Sequence, residues 1–246
     1  MPIPTLSVVI PTLNEAAHIG DLLRALQAQT VGAQIIVADG ESDDETARII
    51  SEFADVELLN CARGVSRQRN AGARASSGEL LIFLDADDVP PPHFLESVAN
   101  SYCKLPFAVA CPWFVAHDGN WATKTIYTGF NVGFWLGQST LRLGSGVCLI
   151  APRAAFIECG GFDETLHLGE DVQLIRKLCP RYGLHRQLLV RLGTSGRRFE
   201  HQGAARLLWF YACITPLLVL GLWRPLQKIG YAAAPYDEDS AREDAA

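Results

Sequence analysis

The sequence predicts an α/β protein built on a doubly wound, mostly parallel sheet. Three observations predict it. Short β-branched runs alternate with helix-period segments through the first hundred residues. The links between them are short. Leu80–Leu84 is apolar at every position, the pattern of a central parallel strand covered on both faces. Ligands of such sheets bind beyond the carboxyl ends of the strands.

The elements follow in order. Leu6–Ile10 reads as the first strand. From Glu15 to Gln29, Ile19, Leu22, Leu23 and Leu26 recur at helical spacing. Gln34–Ala38 is the second strand. Asp43 or Asp44 is placed to cap a helix carrying Ala47, Ile49, Ile50 and Phe53. Val56–Leu59 is a third strand, and Gly64–Ala75 a helix closed by Ser77-Gly78. Pro90-Pro91-Pro92 ends the unit bearing Leu80–Leu84, and Phe94–Tyr102 opens another helix. The second half is less regular. Its strand candidates are Phe107–Val115, Val147–Ala151 and Leu188–Leu192. Its helix candidates are Pro152–Cys159 and Glu170–Cys179. The expected organisation is one domain over 1–205, with a ligand-binding half at 1–104 and an irregular half at 105–205. An apolar segment at 206–234 and an acidic, disordered tail at 235–246 follow.

Composition narrows the function. Hydrophobic residues make up 49% and charged residues 20%, which excludes disorder for the bulk. The net charge is −6, of which −4 lies in the tail. The remainder lacks the strong basic excess of a dedicated nucleic-acid binder. Seven scattered cysteines form no CxxC pair, which argues against a zinc ribbon and for a reducing compartment. No basic region precedes the first apolar run, so a signal peptide is not expected.

The acids that follow strands carry the chemistry. Asp39 follows the second strand, and Asp85 and Asp87 follow the apolar run, with Asp88 beside them. In extended backbone, residues two apart share a face, so Asp85 and Asp87 are expected to point together and to need a cation. Oxygen ligation suits magnesium or manganese holding substrate phosphates. Helix caps and turn acids are the plainer reading of the same residues. Gly64-Val65-Ser66-Arg67-Gln68-Arg69-Asn70-Ala71-Gly72 combines a flexible start with arginines fit for anions, or is a basic surface helix. Gly160-Gly161-Phe162-Asp163-Glu164 precedes Gly169-Glu170-Asp171. The last two acids open a helix, where they complement its dipole or present a general base.

These stretches resemble the family 2 glycosyltransferases with the GT-A fold. The resemblance rests on Val8-Val9-Ile10-Pro11-Thr12-Leu13-Asn14-Glu15, the Asp-Gly-x-Ser stretch at 39–42, Arg69-Asn70-x-Gly72 and Asp85-Ala86-Asp87-Asp88. Gly-Gly-Phe-Asp-Glu at 160–164 and Glu170-Asp171 complete it, in family order over roughly residues 5–175. The resemblance implies a metal-dependent, inverting transfer of a sugar from a nucleoside-diphosphate sugar to an acceptor hydroxyl. It implies that Pro11, Asn14 and Glu15 line the nucleotide pocket and that Asp39 accepts from the base. Arg69 would lie by the donor, Asp85 would reach the ribose or sugar, and Asp87 would ligate Mn2+ or Mg2+. Asp171 would be the general base, with Gly161 and Glu170 on the acceptor side.

The chain departs from the processive synthases of that family, which carry a Gln-x-x-Arg-Trp signature after the base. Here Thr194-Ser195-Gly196-Arg197-Arg198 stands instead, similar to short bacterial members, and favours a single transfer. Arg197 and Arg198 are candidates for the diphosphate, and His201 for the metal shell. Six arginines against one acid in 181–206 precede an uncharged run, Leu207–Trp223. As a helix that run spans roughly 25 Å, short of the ~30 Å hydrocarbon core. It is read as a peripheral membrane contact, with a homodimer interface or packing on its own domain as alternatives. A lipid-linked acceptor and a cytoplasmic site at the inner membrane face fit that reading. Two other functions use the same acids: a haloacid-dehalogenase-like phosphatase with Asp85 as nucleophile and Asp87 as acid/base, and a non-catalytic sugar-nucleotide binder.

Overall fold

The computed structural model describes residues 3–118, 120–138, 140–196, 199 and 203–229. The tail at 235–246 lies outside the described residues, as do Arg197, Arg198 and His201.

Seven strands form one sheet in the order β3-β2-β1-β4-β6-β5-β7. They are β1 (Leu6–Thr12), β2 (Gln34–Asp39), β3 (Val56–Asn60), β4 (Leu80–Leu84), β5 (Val109–Ala116), β6 (Cys148–Pro152) and β7 (His185–Thr194). β1 to β4 pair in parallel, and β5 pairs in parallel with β7. β6 runs antiparallel to both neighbours. The amino end of β6 therefore arrives at the same edge as the carboxyl ends of the other strands. Cys148 pairs with Leu84 there.

The helices are α1 (Ile19–Gln27), α2 (Thr46–Ser51), α3 (Val65–Ala75), α4 (Phe94–Lys104), α5 (Trp121–Gly137), α6 (Arg153–Glu158), α7 (Glu170–Tyr182), α8 (Ala204–Leu220) and α9 (Trp223–Leu226). Every residue of β4 is buried. Leu80, Ile82 and Leu84 join a core with Leu22, Leu23, Ile50 and Phe94 on one face. Leu81 and Phe83 join Phe156, Phe162 and Leu174 on the other. The sheet is thus covered on both sides. α3 packs close on β1: a Cβ on Gly72 would lie 2.4 Å from Val9.

Beyond β5 a third cluster is mainly aromatic. Phe114, Tyr127 and Phe199 gather with Phe130 and Tyr211, and the Phe130 and Tyr211 rings lie 5.3 Å apart. This cluster joins α8 to α5. Within α5, buried Asn131 accepts from the Phe114 N–H and donates to its carbonyl, so the helix also satisfies β5 backbone.

Most strands fall within a few residues of their expected places. Three expectations change. Residues 121–137, for which the sequence pattern predicts no element, form a 17-residue helix. Asp85–Asp88 is a turn, closed by the Asp88 N–H donating to the Asp85 carbonyl at 3.1 Å, so the shared-face argument from extended backbone does not apply to Asp85 and Asp87. Neither Asp43 nor Asp44 is the N-cap of α2: that position is Glu45, without a side-chain cap bond, and Asp44 before it accepts from the Thr46 N–H at 2.9 Å.

Candidate functional site

The carboxyl ends of β1 and β2 are stitched into one cradle. Asp39, buried at the end of β2, accepts from the Thr12 hydroxyl at 2.9 Å, the Ser42 hydroxyl at 2.5 Å and the Ser42 N–H at 2.9 Å. Asn14 sits at φ +57°, a region Asn tolerates better than most residues. Its N–H donates to Ser42, and its side-chain oxygen accepts from the Asp43 N–H. The N–H of buried Glu15 donates to Thr46, and Pro11 is buried within β1. Gln68, from α3, donates to the carbonyls of Thr12 and Ala38 at 2.6 and 2.9 Å. A Cβ on Gly40 would come within 2.9 Å of that amide. Thr12, Ser42 and Gln68 hold the cradle in shape; all three stand inside the motifs quoted above, where none was given a role. Their signal was adjacency to Asp39 and to the Arg69 motif.

The β4 end carries the charge. Arg69 is buried in α3, and its Nη2 donates to Asp85 Oδ1 at 2.7 Å and to the Gly146 carbonyl at 3.2 Å. Its Nη1 lies 3.7 Å from Glu170, and the guanidinium stands over the Phe162 ring. Burial pulls its pKa down, but Asp85 and Glu170 outweigh burial and hold it above its ordinary value. Burial raises the Asp85 pKa, and Asp87 adds to the rise against Arg69. Asp88 is buried and pushed well above the usual carboxylate range by burial, then by Asp85 and Asp87. It accepts from the Asp85 N–H at 2.9 Å. Beyond it, Val89 and Gly193 bridge the turn to the end of β7.

The remaining site residues come from α3, from the stretch that follows α6, and from α7. Asn70 accepts from the Phe162 N–H and donates to its carbonyl, both at 2.9 Å. This staple fastens the Gly160–Glu164 stretch to α3. Gly161 lies at φ +68°, and a Cβ there would meet Asn70 at 2.5 Å, so glycine is required. Asp163, held at about 2 by hydrogen bonds from Thr165 and Gln173, ties the stretch to α7. Asp171 stands in the first turn of α7, its Oδ1 accepting from the Val172 N–H at 2.7 Å. Burial, then the neighbouring Glu170, pushes its pKa up to about 7. Gly146 packs against it: a Cβ there would lie 3.0 Å from Asp171 Oδ2. Gly146 thus touches both Arg69 and Asp171. The Gly144-Ser145-Gly146 triplet in the sequence was its unread signal.

The structure therefore brings Arg69, Asp85, Glu170 and Asp171 together, with Asp87 in the same turn as Asp85. Asp39, Asn14 and Glu15 form the neighbouring cradle. Among the described residues, no three His, Cys, Asp or Glu side chains form a ready metal cage. Asp87, in the turn beside Asp85, could instead serve an ion that takes one or two carboxylates and completes its shell with substrate phosphates and water.

The protein-family model described as Glycosyl transferase family 2 matches residues 7–157. The chain belongs to glycosyl transferase family 2. It is 30% identical over 187 residues to the pre-mycofactocin glycosyltransferase of Mycobacterium tuberculosis, covering 70% of this chain and 38% of that protein. It is 38% identical over 102 residues to the undecaprenyl-phosphate 4-deoxy-4-formamido-L-arabinose transferase of Klebsiella pneumoniae, over 37% of this chain and 31% of that one. The chain thus spans well under half the length of these relatives. Among solved structures, S. aureus TarS 1-349 in complex with UDP-GlcNAc superposes with a TM-score of 0.61 at 20% identity, over 78% of this chain and 58% of that one. A mannosyltransferase from Pyrobaculum calidifontis in complex with GDP-Man and Mn2+ gives the same TM-score and identity, over 78% and 57%. The GT-A fold of this family-2 member is thereby established, and family membership replaces the phosphatase reading of Asp85 and Asp87.

Proposed function

We propose that this chain transfers a single sugar from a nucleoside-diphosphate sugar to an acceptor hydroxyl, inverting the anomeric centre. The observation that carries the reading is the convergence of Asp171 and Asp85 on buried Arg69, beside the cradle around Asp39. The base of the nucleotide would lie against Asp39, with Pro11, Asn14 and Glu15 lining its pocket. Asp85 would face the ribose or sugar, oriented by Arg69. Asp87 would hold Mn2+ or Mg2+. When bound, that ion neutralises charge developing on the diphosphate. Arg197 and Arg198 would add cations at the same oxygens, and His201 a ligand to the ion.

The acceptor oxygen attacks the anomeric carbon as the bond to the diphosphate breaks. Its proton passes to Asp171, and the nucleoside diphosphate leaves. A carboxylate with a pKa of about 7 is close to matched to this task near neutral pH. Glu170 and Gly161 would border the acceptor. Asp171→Asn should lower turnover about 10²–10⁴-fold with nucleotide binding retained. Undiminished turnover would refute Asp171 as the base.

We further propose a lipid-linked acceptor met at a membrane surface, at its cytoplasmic face. The exposed side of α8 and the outer face of α5 are apolar, with Trp209 73% and Leu136 67% exposed. The sequence has no acid between Asp118 and Glu158, nor between Glu200 and Asp237, while Lys124, Arg142, Arg206, Arg224 and Lys228 fall in those stretches. An apolar, Trp-bearing face flanked by bases alone complements anionic lipid. No helix among the described residues is long and apolar enough to cross a membrane.

A further inference from the structure

The turn that presents Asp171 is gripped by the C-terminal hairpin of α8 and α9. Gly169 precedes α7 at φ +82°, and a Cβ there would lie 2.6 Å from Leu218 and 3.0 Å from Leu226. Gln227 follows α9 directly. Its Oε1 accepts from the His167 N–H at 2.6 Å, and its Nε2 donates to the Leu168 carbonyl at 3.0 Å. One amide side chain thus binds backbone groups of two consecutive residues. Arg176, two turns into α7, donates to the Val219 carbonyl near the end of α8. The hairpin therefore touches the base-bearing helix both at its entry and along its side.

We propose that Gln227 is a positioning residue for the transfer, latching the His167–Gly169 turn so that Asp171 is held against Gly146 and Arg69. The proposal rests on Asp171 being the general base. The α7 helix begins at this turn, with the Gln173 N–H donating to the Gly169 carbonyl at 2.9 Å. A shift of the turn therefore carries Asp171 with it. A misplacement of about 1 Å can cost about 10²-fold in rate. The charged or titratable groups facing Asp171 are Glu170 on its own helix, Arg69 from α3 and Cys111 from β5. Releasing the turn would admit water to that group and weaken the burial that dominates its shift. The hairpin would then belong to the catalytic apparatus rather than to a passive anchor.

The test uses the full chain without substrate, with Gln227→Ala and Gln227→Glu. The glutamate keeps the acceptor for His167 and loses the donor to Leu168. Two readouts are taken: amide hydrogen exchange by segment, and carbodiimide–glycine ethyl ester labelling of Asp171 as a function of pH. The wild-type labelling midpoint is expected near 7. In Gln227→Ala it should fall by about one unit or more toward the ordinary 3.8, with faster exchange confined to 166–172 and unchanged at 39–42 and 85–88. Gln227→Glu should fall between. Wild-type midpoint and exchange in Gln227→Ala would overturn the latch. If Gln227→Ala raises exchange throughout the chain, Gln227→Glu decides: faster exchange local to 166–172 supports the latch, and wild-type values overturn it. Neither readout uses turnover, so an active Asp171→Asn would refute the base assignment separately.

Discussion

Arg69 holds its charge where solvent does not reach, and acids answer it from two sides: Asp85 at 2.7 Å and Glu170 at 3.7 Å. Removing one partner of such a buried group leaves the other uncompensated, which costs more than the pair contributes. Burial first, then the neighbouring Glu170, gives Asp171 its character. Its pKa is raised in the folded chain to about 7 from 3.8, so between those values the folded state binds more protons than the unfolded one. Stability from this group is present at low pH and is lost as pH rises through about 7. With Asp171 as the proposed base, activity runs the other way, since the base must be ionised. Turnover should therefore rise with pH through about 7, and the Asp171→Asn variant should lose that limb. Asp171→Asn should also gain thermal stability over wild type at pH 8 and gain little at pH 4, each 1 kcal/mol being worth roughly 2–4 °C. Scanning calorimetry at the two pH values checks this. Equal differences at both would contradict the raised pKa.

At the scale of elements, legibility followed from what a linear pattern encodes. β4 was plain because all five positions face a core. The orientation of β6 was not legible, since an apolar run reads the same in either direction, and only pairing with β4 and β5 decides it. α5 was hidden by Gly129, Gly133 and three threonines, which are weak helix formers. Its stability comes from context instead: Asn120 caps its first turn, and Asn131 binds β5. The site was legible in its acids and in Arg69, while its supports were not. Gln68, Asn70 and Gly146 act through partners that are distant in sequence. Gly72 is the sharpest case, because the Val9 methyl fills the space a side chain would need. Gly72→Ala should cost about 1–3 kcal/mol by overpacking, seen as a lower denaturation midpoint with an unchanged m-value. A neutral substitution would mean that α3 can lift from β1 without penalty.

For the whole molecule, the two faces of the sheet make a conventional core, while the third, aromatic cluster joins α5 and α8 and leaves their outer sides apolar. An extended apolar face on an otherwise charged protein marks an interaction surface. Binding to phosphatidylcholine vesicles should strengthen at least tenfold when anionic phosphatidylglycerol is added, and Trp209→Glu should remove most of it. Concentration-dependent dimers dissolved by Trp209→Glu, with no vesicle binding, would assign the face to a second copy instead.

The most direct test of the central claim, that this edge of the sheet is a metal-assisted sugar-nucleotide site, is a thermal-shift comparison. Wild type and Asp87→Ala are screened against uridine and guanosine diphosphates and their sugars, with and without manganese. At a ligand concentration of about 100 Kd, binding should add about 2.7 kcal/mol, or roughly 5–10 °C in Tm. The account predicts that shift for one nucleotide class, dependent on manganese and lost in Asp87→Ala. No shift with any nucleotide, or the same shift in Asp87→Ala, would contradict it.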